Sequence, residues 1–168
     1  MAIRIINMRP SKHARLPAAG YIDLSLRNHL CFSALRDEYG CAFHLGTIVR
    51  TLFVSFYLFD AGYGDGNLAD YSEADLRLSE LAMSRNLQAS YRLSAHAVEP
   101  TARLLTLFDT QLQAAPLNEL IEAHRRADRN INAPPEERLS IDELVQRSRR
   151  RVKMNRDRPA TNFPRTQG

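Results

Sequence analysis

Residues 43–60 are the most apolar stretch of the chain, and they constrain everything around them. Leu45, Ile48, Val49, Leu52, Phe53, Val54, Phe56, Tyr57, Leu58 and Phe59 cover most of a helical wheel. At 3.6 residues per turn, the polar residues His44, Thr47, Thr51 and Ser55 fall within an arc of about 80°. A helix that is apolar except for one narrow stripe is the buried centre of a bundle. A membrane span is the rival reading. It needs about 18 or more apolar residues without charge, and Arg50 and Asp60 leave nine residues between them.

The flanking sequence supplies further helical periods. From about Asn28, Leu30, Ala34 and Leu35 share one side before Gly40 stops the pattern. Ser72-Glu73-Ala74-Asp75 resembles a capping box, with Ser72 as N-cap of a helix running to about Ala97. Leu76, Met83, Leu87 and Tyr91 line one face of that helix, and Leu78, Ala82, Ala89 and Leu93 another. Pro100 and Pro116 read as first helical residues, where a missing N–H costs nothing. Leu104, Leu105, Phe108 and Leu112 follow the first; Leu117, Leu120, Ile121, His124 and Ile131 follow the second. Ala133-Pro134-Pro135 is a break, and Ser140-Ile141-Asp142-Glu143 is a second capping-box pattern. It opens a helix with a stripe of Ile141, Leu144, Val145, Ser148 and Val152. Two short β-prone runs precede the helices: Ile3–Ile6, and residues 21–26, where Ile22, Leu24 and Leu26 alternate with Asp23 and Ser25.

The prediction is an all-α bundle of about six helices round residues 43–60, with one or two short N-terminal strands. Residues 1–20 form an arm, 21–132 the bundle core, 133–158 a basic helix and 159–168 a tail of disordered composition.

Charge is segregated along the chain. Residues 1–146 carry 15 basic and 18 acidic side chains; residues 147–168 carry eight and one. Arg147, Arg149, Arg150, Arg151, Lys153, Arg156 and Arg158 crowd into the C-terminal helix and the start of the tail. Such a cluster suits the phosphate backbone of DNA or RNA, where binding releases counterions. It lacks interleaved aromatic residues, so base stacking is not expected of it. An acidic protein surface is the alternative partner, and the body offers surface for a homodimer. A helix-turn-helix is disfavoured, because no turn and second apolar helix follow residue 151. A ribbon-helix-helix is disfavoured because the second helix is too apolar for an exposed role.

Other chemistry is thinly signalled. The Gly62–Gly66 loop contains GxGxG but follows a helix, and no GK[ST] comes after it, so neither a dinucleotide nor a P-loop reading holds. A calcium loop counted from Asp65 reaches Ala69 and Leu76 where ligands are needed. Cys31 and Cys41 have no partner at a metal-ligand spacing, and His13, His29, His44, His96 and His124 form no HxxxH or HExxH. No cofactor, metal or hydrolytic motif is therefore expected. His44, Thr47, Thr51 and Ser55, with Arg50 beside them, are the candidates for a small polar pocket inside the bundle, which would suit a sensor or an enzyme. No apolar leader is visible, so reduced thiols and a cytoplasmic setting are expected.

Overall fold

The apolar segment is a helix, α2 (Ala42–Asp60), and four other helices cover it. The computed structural model describes residues 14–84 and 90–156, with side-chain surroundings as far as Arg149. Around α2 lie α1 (Ala18–Arg36), α3 (Leu68–Met83), α4 (Ala95–Ala114) and α5 (Leu117–Ile131). A 3₁₀ turn (Pro135–Glu137) leads to α6 (Ile141–Arg156), which rests on α3. The described residues thus form an all-α bundle with no strand; two isolated bridges, Arg15 with Pro116 and Gly40 with Tyr91, are its nearest approach to sheet.

The α2 side chains from Thr51 to Leu58 are all buried. Full burial contributes about 1.5–3 kcal/mol for each large apolar side chain, so this one helix anchors the core. By length and hydropathy α2 also meets the requirement for a membrane span, but here its surface is taken by α1, α3, α4 and α5. Leu104, Leu105, Phe108 and Leu112 of α4, and Leu120, Ala123 and Ala127 of α5, supply the facing walls.

Three elements differ from the sequence expectation. Residues 21–26 are helical, part of α1, because the period that reaches the core is Leu24, Asn28, Cys31 and Leu35, not the five-residue alternation. The helix expected from Ser72 to Ala97 starts earlier and ends earlier. Asn67 is the N-cap of α3, its side chain accepting from the Asp70 N–H at 3.0 Å, and the helix stops at Met83. Residues 91–93 spend their N–H groups on the α1–α2 connection: Tyr91 donates to the Gly40 carbonyl and Leu93 to the Leu35 carbonyl, both at 2.9 Å. Gly40 permits that crossing, since a Cβ there would overlap the Tyr91 carbonyl. Pro100 is buried in the second turn of α4, not at its start. Its ring deprives the carbonyl of exposed His96 of a helical donor, a loss that water can repair. The run Ile3–Ile6, Arg158 and the tail 159–168 lie outside the described residues.

Candidate functional site

The C-terminal helix has a docked root. Ser140 and Glu143 form the reciprocal cap at its start: the Ser140 N–H donates to Glu143 Oε2 at 2.8 Å, and the Glu143 N–H to Ser140 Oγ at 3.3 Å. The Ser140 N–H, and after it the Ser140 hydroxyl donating to the same Oε2 at 2.9 Å, hold the Glu143 carboxyl below its ordinary pKa. Asp75 of α3 adds a cap from outside, accepting from the Ile141 N–H at 2.9 Å, while Ser72 donates to Asp142 at 2.5 Å. Ser72, expected as a cap for its own helix, therefore ties α3 to α6. Ile141 is fully buried, and Leu144 and Val145 are half-buried against the core.

One turn further on, the character changes. Arg147 and Arg149 are exposed. Arg147 borders a cleft of about 380 Å³ with Phe56, Tyr57, Asp60, Arg126 and Ser148. In that cleft the Arg126 guanidinium stacks 4.1 Å above the Tyr57 ring and reaches Asp60 at 3.2 Å. Arg150, Arg151, Lys153 and Arg156 continue the same helical backbone.

The arginines of the body are, by contrast, mostly neutralised. Arg50 pairs with Asp128 at 2.9 Å, Arg77 with Glu80, Arg92 with Glu38, and both Arg125 and Arg129 with Glu122. Arg103 gathers Asp70, Glu73 and Glu99. Among the described residues, Arg147 and Arg149 have no carboxylate within ion-pair distance, nor, of the body arginines, do Arg15, Arg27 and Arg138.

The four residues of the polar stripe of α2 separate into three environments. His44 closes the start of the helix, its Nδ1 accepting from the Cys41 N–H at 3.1 Å. Thr47 and Thr51 donate to the carbonyls four residues back, Phe43 and Thr47, at 2.8 and 2.9 Å. Ser55 joins a buried network, donating to Gln111 Oε1 at 2.7 Å beside the Tyr71 hydroxyl at 3.1 Å. Thr47, Arg50 and Thr51 do line one cavity of about 380 Å³ between α1, α2 and α5; His44 and Ser55 do not border it. The cavity's other polar groups are Arg27 and Asn28 of α1 and His124 of α5. Arg27 and Asn28 are neighbours on α1 and His124 lies on α5, so no local spacing joins them to the α2 residues. The nearest signal was His124 on an apolar stripe.

The Gly62–Gly66 loop is pinned to the core. The Gln111 side-chain amide donates to the Tyr63 carbonyl at 2.9 Å, and Gly62 and Gly64 take positive φ. An open groove of about 740 Å³ runs between this loop and α4. Among the described residues no group of three or more His, Cys, Asp or Glu is placed to hold a metal ion. Ile22, Leu26 and Leu30 repeat every four residues along α1 and are more than half exposed. No family model, curated protein or solved structure matches the chain.

Proposed function

We propose that the protein is a non-enzymatic accessory or regulatory factor that contacts the backbone of nucleic acid through α6. The observation that carries this reading is the contrast in charge compensation. Most body arginines are held by carboxylates, whereas Arg147 and Arg149 project from a docked helix with no carboxylate of the described residues within ion-pair distance. At 100° per residue, positions 147, 149, 150, 151, 153 and 156 all fall outside the arc of Ile141, Leu144, Val145 and Ser148. Docking through the apolar arc thus leaves the cationic arc available to phosphates. Such contacts give affinity and orientation without choosing a base sequence. The reading sets the protein in the cytoplasm, with Cys31 buried and Cys41 exposed as free thiols.

In this reading the α1 stripe is covered by a second copy. An antiparallel pairing centred on Leu26 sets Ile22 of each copy against Leu30 of the other, so the face is complementary to itself in apolarity. A dimer would present two basic helices on one particle.

The test uses random-sequence duplex DNA and RNA with the full chain and a variant carrying Arg147, Arg149, Arg150, Arg151 and Lys153 as Gln. Six phosphate contacts give log K against log salt a slope of about −5. The variant should lose most of that slope. Equal affinity of the two proteins overturns the reading, and so does an absence of binding at low salt. Binding of the full chain to an acidic protein but to neither nucleic acid would select the alternative partner.

A further inference from the structure

The cavity between α1, α2 and α5 has an apolar interior and a cationic rim. Leu24, Phe43, Phe108 and Ile131 form its apolar walls, and its volume of about 380 Å³ is within the range of small-ligand sites. At the rim, Arg50 is compensated by Asp128 at 2.9 Å. Arg27 has no such carboxylate among the described residues, which leaves one guanidinium charge unspent. Burial holds the His124 imidazole below its ordinary pKa; Arg50 and Arg27 push the same way and Asp128 opposes them. A neutral imidazole there neither adds to nor cancels the rim charge.

The interior polar groups also lean one way. The Thr47 and Thr51 hydroxyl protons are spent on backbone carbonyls. Asn28 lines the cavity at 2% exposure, and its side-chain oxygen accepts no hydrogen bond from any described residue. A buried amide left this way is costly, and a natural chain rarely keeps one without a partner to complete it.

We propose that this cavity binds a small monocarboxylate whose apolar body carries one hydroxyl. The carboxylate sits on Arg27 at the rim, where a planar guanidinium fork matches it. The body lies against Leu24, Phe108 and Ile131, and its hydroxyl donates to the unpartnered Asn28 side-chain oxygen. One uncompensated cation selects a monoanion over a dianion such as phosphate, and the apolar walls disfavour a fully hydrated ion.

Para-hydroxybenzoate serves as the probe and para-hydroxybenzamide as its neutral isostere, titrated into the full chain and followed by calorimetry and amide chemical shifts. Para-hydroxybenzoate should bind saturably, about tenfold or more tighter than para-hydroxybenzamide. Arg27→Gln should abolish that preference; because Arg27 is exposed, the variant should keep the parent's melting temperature. Arg147→Gln/Arg149→Gln should retain the preference, which separates this site from the proposed nucleic-acid surface. No saturable binding up to about 10 mM overturns the proposal. Equal binding of the two probes, or a preference that survives Arg27→Gln, overturns it as well.

Discussion

Ser55 and Gln111 stand 56 positions apart in the chain and share a 2.7 Å hydrogen bond in a core where neither side chain is exposed. Gln111 completes the arrangement by donating to the Ser55 carbonyl at 3.0 Å and the Tyr63 carbonyl at 2.9 Å, while Tyr71 donates to the Ser55 carbonyl at 3.2 Å. Burial raises the Tyr71 hydroxyl above its ordinary pKa, and the Ser55 and Gln111 bonds oppose that rise. The network joins α2, α3, α4 and the glycine loop at one point. Gln111→Leu should therefore destabilise the fold by about 2–4 kcal/mol, since it orphans several buried groups at once. Ser55→Ala, which removes one hydroxyl, should cost about 1–2 kcal/mol. Urea denaturation measures both, and hydrogen exchange at residues 62–66 should accelerate in Gln111→Leu. A Gln111→Leu protein as stable as the parent would refute the network's role.

Asp75 is the second long-range tie, capping α6 from α3. Burial raises its carboxyl pKa; the Ile141 N–H works against that rise, and Asp142 and Glu143 reinforce it. A carboxyl whose folded pKa is raised binds its proton more tightly in the folded state, so its contribution to stability falls as pH climbs from about 4 through the raised value. Asp75→Asn keeps an acceptor for Ile141 without the buried charge, and its stability relative to the parent should improve between pH 4 and pH 7. Asp75→Ala removes the cap, should cost about 1 kcal/mol, and should speed proteolysis within α6. Identical proteolysis of Asp75→Ala and the parent would show that α6 does not depend on this cap.

The parts of the fold legible in the sequence are those settled by local chemistry. Residues 43–60 declared a core helix because their apolar surface goes nearly all the way round, and Ser140 with Glu143 declared a helix start because the cap is reciprocal and local. Where two local readings competed, tertiary packing decided. Ile22, Leu24 and Leu26 satisfy both a strand alternation and part of a helix; the contacts of Leu24, Asn28, Cys31 and Leu35 chose the helix. Asn67 and Ser72 each precede an acid by three residues, and the earlier one caps α3 because the later one faces α6. The cavity was the least legible feature. Thr47 and Thr51 came from one stripe and Arg50 from beside it, but the residues that give it a cation unpaired among the described residues and a buried amide, Arg27 and Asn28, come from α1.

Leu26 sits at the middle of the α1 stripe with 55% of its surface exposed. If a second copy covers the stripe, the parent protein should have twice the chain mass by light scattering. Leu26→Glu should then be monomeric, because each interface gains two like charges at its centre. Because Leu26 is exposed, Leu26→Glu should keep the parent's helical content, which circular dichroism checks. A parent that stays monomeric up to about 100 μM would remove the second copy as the occupant of this face.

His124 gives the bundle an acid-sensitive point. Its imidazole is held below its ordinary pKa chiefly by burial, so the folded state resists protonation that the unfolded chain accepts. In the window from pH 6.5 down to the lowered folded value, the unfolded state binds more protons, and stability falls as pH falls. Above pH 6.5 the imidazole is neutral in both states and contributes no slope. His124→Gln, which cannot titrate, should flatten the stability profile between pH 7 and pH 5 while leaving the slope below pH 4 to the carboxylates. Thermal melts of parent and variant across that range test it. Parallel profiles from pH 7 to pH 5 would mean that His124 takes up its proton as readily in the bundle as in the unfolded chain.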